Sequence, residues 1–227
     1  KLLHSGLADF VLKGEYYWAK LEPWTSESFD VIKIGCQFGR SEITLVYIAQ
    51  SSDHHDVLNW LCRLCTESWC VSGCVRVLIV AEQSCHPEVL KSELQKLLQL
   101  QQIGLEIVVP IHSLSLSDCV NLGVHLAKTE LVLFDLSLSL VSLTNMMTCF
   151  SGLIALEPHK LIYPVLKQDS ISTMSPPMLF KRQSFFELGG VLNLGSSAAS
   201  VSQQMIRLYT SDGGHGARKH CDDQVTG

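Results

Sequence analysis

The chain has 227 residues, of which 47% are hydrophobic and 17% are charged, and its formal net charge is −5. This composition supplies a sizeable core and excludes a disordered chain, while the acidic balance gives no basis for direct nucleic-acid binding. No stretch is apolar for long enough to span a bilayer. The nine cysteines lie mostly in apolar periodic segments, which favours reduced thiols in an intracellular protein, nuclear or cytoplasmic. Since Lys1 opens the sequence, we expect a segment of a longer protein.

The first half of the chain alternates strand and helix patterns. Residues 1–40 hold several aromatics and a short alternating run at 29–36, and we predict that they form a packed N-terminal extension. Residues 42–50 are rich in β-branched and aromatic residues, which predicts a buried strand. Apolar residues at helical spacing follow at 57–69, and a second buried strand is predicted at 75–81.

The next unit begins near Pro87, a residue that suits the first turn of a helix, and Gly104 is predicted to cap this helix. A third strand is predicted at 105–109. Ser115 and Asp118 have the spacing of a capping box, in which two residues satisfy each other's groups at a helix start. The spacing therefore predicts a helix that begins there.

The later part of the chain continues the alternation. The remaining predicted elements are strands at 130–134, 161–166 and 178–180, and helices at 144–157, 183–188 and 200–209. Strands that alternate with helices at this spacing predict an α/β fold with a mostly parallel sheet. We expect an N-terminal extension over 1–40, one domain over 41–195, and a terminal helix with a mobile tail over 196–227.

Asp135 directly follows the strand predicted at 130–134. Ligands of open α/β sheets bind outside the carboxyl ends of the strands, so this carboxylate stands where a binding site is expected. The alternative is a structural role, in which the carboxylate accepts backbone N–H bonds at the end of the strand.

Three motifs in the second half resemble those of one enzyme family. Residues 121–127 read NLGVHLA, residues 130–134 read ELVLF, and residues 180–190 read FKRQSFFELGG. In this order, after alternating strands and helices, they resemble the nucleotide-sugar glycosyltransferases of family 2. The resemblance covers residues 42–195 and implies a three-layer α/β fold of the GT-A type with a mostly parallel central sheet.

The same resemblance implies where a nucleotide sugar would bind. The turn after the first buried strand contains Gln50 and Asp53 and would lie beside the base, while Glu82 would pair with the base. Asn121 and Asp135 complete the expected nucleotide-sugar site. For Glu82 the alternative is a solvated loop carboxylate, and for Asn121 it is a local bond within its helix.

The family's metal motif is only partly present. In the family, an Asp-x-Asp pattern supplies two carboxylates for Mn²⁺ or Mg²⁺, because such hard cations prefer oxygen ligands. Here Asp135 remains and Ser137 takes the second position, while His215 is a candidate metal ligand from its late position in the chain. The family's general base also lacks an equivalent, since no carboxylate occurs between Glu187 and Asp212.

Two functions follow as hypotheses. In the first, the domain binds a UDP-sugar, with UDP-GlcNAc as the expected donor, and transfers GlcNAc to a protein acceptor with a divalent metal. In the second, it is an inactive GT-A-derived interaction module. The Leu-, Ser- and Cys-rich composition and reduced acidic motif also resemble the C-terminal domains of the growth-regulation-by-estrogen-in-breast-cancer family, which implies a nuclear-receptor coregulator. The missing second carboxylate favours the interaction module.

Other chemistries have weaker support. The four cysteines between Cys62 and Cys74 could hold zinc, but their spacing matches no standard finger and buried helical thiols are ordinary. His54 and His55 could contact a phosphate, although a helix-capping loop is favoured. The sequence contains no Walker loop, no dinucleotide-binding Gly-x-Gly-x-x-Gly and no nucleophile elbow.

Overall fold

A computed structural model describes residues 28–34, 41–49, 54–64, 66–67, 75–81, 87–96, 104–136, 177–191 and 197–211. The strands within these ranges are β1 (Phe29–Ile34), β2 (Ile43–Ala49), β3 (Val75–Ala81), β4 (Gly104–Pro110), β5 (Leu131–Asp135) and β6 (Met178–Lys181). The helices are α1 (His54–Leu64), α2 (Pro87–Lys96), α3 (Leu116–Leu126), α4 (Arg182–Glu187) and α5 (Ala198–Ser211).

The six strands form one sheet in the order β1-β4-β3-β2-β5-β6. The central strands β4, β3, β2 and β5 are parallel, whereas β1 and β6 pair antiparallel at the two edges. The predicted α/β fold with a mostly parallel sheet is therefore confirmed. Strand β1 comes from the segment predicted to be an N-terminal extension and belongs to the sheet, while the three-part division at 1–40, 41–195 and 196–227 stays a prediction.

Helices cover both faces of this sheet. One apolar cluster joins α1 and α2 to alternate residues of the strands, and a second cluster joins α3, α4 and α5 to the opposite face. All seven residues of β2 are buried, as expected for a central strand with helices on both sides. The molecule consequently has three layers, with the sheet in the middle.

Gly123 allows α3 to lie directly on the sheet. A Cβ atom at this position would meet Val46 Cγ1 at 2.5 Å and Val80 Cγ2 at 3.2 Å, so any side chain would collide with β2. The helix also starts as predicted, because the Asp118 N–H donates to Ser115 Oγ at 3.1 Å and the Ser115 hydroxyl donates to the Asp118 carboxylate at 2.7 Å. The predicted helix start at Ser115 is thus confirmed, with Ser115 as the N-cap.

The described strands lie within one or two residues of their predicted bounds. The role of Gly104 was predicted wrongly, because it does not cap a helix but begins β4, where it pairs with Arg76 of β3. Strand β4 is therefore one residue longer at each end than the strand predicted at 105–109. The helical pattern predicted over 57–69 was wrong at its end, because α1 ends at Leu64 and residues 66–67 are not helical. The helix predicted at 144–157 and the strand predicted at 161–166 lie outside the described residues.

Candidate functional site

The topology of the sheet marks one place for a ligand. From β2 the chain proceeds outward to β3 and β4, and then returns to the other side of β2 to form β5. The order of the strands thus reverses between β2 and β5. In open α/β sheets, ligands bind in the crevice outside the carboxyl ends of the strands at such a reversal.

Asp135 lies at this reversal. It is the last residue of β5 and pairs in register with Tyr47 of β2, which is the last pair between these two strands. Its side chain is fully buried. The Tyr47 ring packs in turn on Trp60 of α1, with ring centroids 5.4 Å apart. The expected carboxylate is therefore held beside an aromatic pair at the carboxyl edge of the sheet.

The alternation of β5 determines the face on which Asp135 lies. Leu131 and Leu133 pack in the cluster with α1, whereas Phe134 and Leu136 pack in the cluster with α3. Since side chains of a strand point alternately to opposite faces, Asp135 shares the α1 face with Leu133.

Asn121 lies on the opposite face, within α3. Its Nδ2 donates to the Val191 carbonyl at 2.9 Å, and the Val191 N–H donates to its Oδ1 at 2.9 Å. The side chain is fully buried. The structure therefore does not bring Asn121 together with Asp135, and a contact of Asn121 with nucleotide stays a prediction.

Four other predicted site residues, Gln50, Asp53, Glu82 and His215, lie outside the described residues. The strand ends before two of them are described. Ala49 ends β2, Ala81 ends β3, and the two are partners in register. Gln50 and Glu82 thus follow directly, in sequence, two paired strand ends at the same edge as Asp135.

Arg182 is a structural residue that the sequence did not single out. Its Nε donates to the Val124 carbonyl at 3.0 Å and its guanidinium nitrogen donates to the His125 carbonyl at 2.7 Å, so it satisfies the C-terminal end of α3. The guanidinium also lies over the Phe186 ring. Burial, followed by the charge of Arg182, lowers the pKa of His125. The basic pair before a predicted helix was visible in the sequence, but its partner was not.

A metal centre does not emerge from the described residues alone. Among them, no group of three or more His, Cys, Asp or Glu side chains could hold a metal ion. Among the described residues, Cys62 and Cys119 form no disulfide bond. Cys62 belongs to the possible zinc cluster, and the other three cysteines of that cluster lie outside the described ranges. No helix in the described part of the chain is long and apolar enough to cross a membrane.

No protein-family model matches this sequence, and a search of curated proteins found no relative. Among solved structures, the chain is similar to the mannosyltransferase PcManGT from Pyrobaculum calidifontis in complex with GDP-Man and Mn²⁺. The identity is 14% and the TM-score 0.53, over 86% of this chain and 60% of that chain. The fold is that of GT-A glycosyltransferases. TarS from S. aureus is also similar, with 14% identity and a TM-score of 0.48 over 74% of this chain and 55% of that chain.

The similarity to PcManGT confirms the three-layer GT-A fold implied by the motifs. At 14% identity the similarity to PcManGT shows the fold alone, because residues of a site can change while the fold persists. The chain spans 60% of the length of PcManGT. The activity, substrates and partners of this chain are therefore matters of proposal.

Proposed function

We propose that this chain is a glycosyltransferase-like domain that binds a nucleotide sugar at the carboxyl edge of its sheet. The observation that carries the proposal is the position of Asp135, a buried carboxylate beside Tyr47 at the reversal between β2 and β5. Sites of open α/β sheets form at this place. PcManGT, which has a similar fold, forms a complex with GDP-Man, a nucleotide sugar.

In this proposal the residues after the strand ends bind the nucleotide. Gln50 and Asp53 frame the base, Glu82 pairs with it, and Asp135 faces the ribose-diphosphate part. Asn121 supports the same site. The proposed donor is UDP-GlcNAc, and the proposed acceptor is a protein.

A divalent cation, Mn²⁺ or Mg²⁺, fits this site only together with the nucleotide. Asp135 alone is too few oxygen ligands for such an ion, but these cations often bind through one or two carboxylates plus substrate phosphates. His215 is the proposed second protein ligand. The cation would neutralise charge on the diphosphate leaving group. Binding of the metal should therefore depend on the nucleotide.

Calorimetric titration tests this proposal. UDP and UDP-GlcNAc are titrated, with and without Mn²⁺, into the wild type and into Asp135→Asn, which keeps the size of the side chain and removes its charge. Asp30→Asn, on the exposed part of edge strand β1, is the matched control. We expect Mn²⁺-dependent binding that Asp135→Asn abolishes and Asp30→Asn retains. A folded wild type that binds neither ligand in any condition contradicts the proposal.

A second candidate function is an inactive interaction module, in a nuclear-receptor coregulator of the nucleus. The observation that favours it is Ser137 at the position of the second carboxylate, together with the full burial of Asp135. Ser137 is a poor ligand for a hard cation. In this case the folded domain would bind neither nucleotide nor Mn²⁺, and its partner would be another protein.

A further inference from the structure

The amide of Asn121 forms a clamp on the chain that follows α4. Both of its polar atoms bond the main chain of Val191, one as donor and one as acceptor, at 2.9 Å each. Next to Val191, Gly190 has a φ of +70°, and a Cβ there would meet Asn121 Oδ1 at 2.8 Å. Only glycine suits this position, because it needs positive φ and presents no side chain to the amide. We call these three residues the Asn121 clamp.

The turn inside the clamp is continuous with α4. The Gly190 N–H donates to the Phe185 carbonyl at 3.0 Å, and the Gly189 N–H donates to the Phe186 carbonyl at 2.9 Å. These bonds close the C-terminal end of α4. The Asn121 clamp fixes this turn and, through these two bonds, also fixes the C-terminal end of α4.

Aromatic packing connects α4 with β6, and β6 pairs with the end of β5. The Phe185 ring stacks on Phe180 of β6, with centroids 5.4 Å apart and planes at 22°. Strand β6 in turn pairs with β5, where Met178 is the partner of Phe134, the residue before Asp135. A continuous set of contacts thus connects the clamp with the carboxyl end of β5.

We propose that Asn121 is a positioning residue of the nucleotide-sugar site, which acts through the clamp, α4 and β6 on the end of β5 without touching the ligand. This inference rests on the proposed function. It explains why both polar atoms of the side chain bond the main chain although its motif resembles that of nucleotide-sugar enzymes. It also couples two sequence motifs, at 121–127 and 180–190, that are distant in the chain.

Arg182 provides the matched control. It also ties α4 to α3, through the Val124 and His125 carbonyls, but at the end of α3 that leads into the start of β5. Removing this cap should lower stability as removing the clamp does. Because these bonds lie at the amino edge of the sheet, where the parallel strands begin, their loss should leave the carboxyl end of β5 unchanged.

The experiment measures UDP affinity in the presence of Mn²⁺ by calorimetry, at a temperature where circular dichroism shows every variant folded. Asn121→Asp keeps the size and the acceptor but loses donation to the Val191 carbonyl, and Gly190→Ala disturbs the clamp from its other side. We expect both to weaken UDP binding roughly five- to tenfold, the size of a coupling free energy of about 1 kcal/mol between a distant position and a binding site. Arg182→Met should stay within about twofold of the wild type despite a lower Tm.

Two results overturn the inference while the proposed function stands. In one, the clamp variants retain wild-type affinity although their Tm falls as in Arg182→Met. In the other, Arg182→Met weakens binding as much as they do, which shows a general effect of destabilisation. If the folded wild type itself binds no UDP, the proposed function fails, and the positioning role of Asn121 fails with it.

Discussion

The sheet has an amino edge, where its parallel strands begin, and a carboxyl edge, where they end, and the two hold different polar side chains. At the amino edge, these side chains bond one another. Arg76 and Glu106 form an ion pair between β3 and β4, Lys128 lies 3.7 Å from the same carboxylate, and the Thr44 and Thr129 hydroxyls are 2.7 Å apart. At the carboxyl edge, Asp135 pairs with Tyr47 of β2 at the reversal of the strand order. These contacts indicate that the amino edge stabilises the fold, whereas the proposed function assigns the ligand to the carboxyl edge.

The ion pair between Arg76 and Glu106 should give the largest effect on stability. Glu106→Ala leaves a nearly buried guanidinium without its partner, and we expect the free energy of unfolding to fall by about 3 kcal/mol. Urea unfolding measures this loss. The control is Glu88→Ala, which removes an exposed ion pair with Lys91 and should cost well under about 1 kcal/mol. Equal losses in the two variants would contradict the stabilising role of the amino edge.

The approach of α3 to the sheet should give the next largest effect. Gly123→Ala places a methyl group 2.5 Å from Val46 Cγ1, and we expect a loss of about 1–3 kcal/mol despite the higher helix propensity of alanine. Combining it with Val46→Ala tests the cause. The double variant should lose less than the sum of the single variants in urea unfolding, whereas additive losses would exclude a steric clash.

The hydroxyl pair of Thr44 and Thr129 should contribute less. Thr44→Val keeps the shape of the side chain and removes a partly buried hydrogen bond of 2.7 Å, for an expected loss of about 1 kcal/mol. Thr66→Val is the control, because its hydroxyl bonds the Arg63 carbonyl at an exposed position. In thermal unfolding, Thr44→Val should lower the Tm more than Thr66→Val does. Equal losses would show that burial of the hydroxyl does not set its contribution.

His125 should give the smallest effect, which depends on pH. Burial and Arg182 lower the pKa of this residue in the folded state, so the unfolded chain binds the proton more readily. Stability is therefore full above the unfolded pKa of about 6.5 and falls as the pH drops below it. Urea unfolding at pH values above and below about 6.5 measures this fall in the free energy of unfolding, and the fall should be smaller in His125→Gln. The His112→Gln variant, which changes an exposed loop residue, should retain the wild-type decline, and identical profiles for all three proteins would refute this role of His125.

The fold could be predicted from the sequence largely because its signals are local. The β-branched runs of β2 and β3 and the capping box at Ser115 depend on neighbours in the chain. Gly104 was assigned wrongly because glycine can end a helix or begin a strand, and only the pairing with Arg76 decides between them.

The candidate site could be predicted only in part. The position of Asp135 at the end of a strand was visible, but its face and its neighbour Tyr47 depend on the register between β2 and β5. The partner of Asn121 is 70 residues away in sequence, and no local pattern signals such a contact. The pattern at 121–127 thus predicted the helix that holds Asn121, and only the tertiary contacts show which groups its amide bonds.

Hydrogen–deuterium exchange on addition of UDP-GlcNAc and Mn²⁺ reports on both edges of the sheet in one experiment. We expect slower exchange in peptides that contain the carboxyl ends of β2 and β5, around Tyr47 and Asp135. Peptides of the amino edge, around Arg76 and Thr129, should exchange as before. Slower exchange at the amino edge, or no change anywhere in the folded protein, would contradict a nucleotide-sugar site at the carboxyl edge.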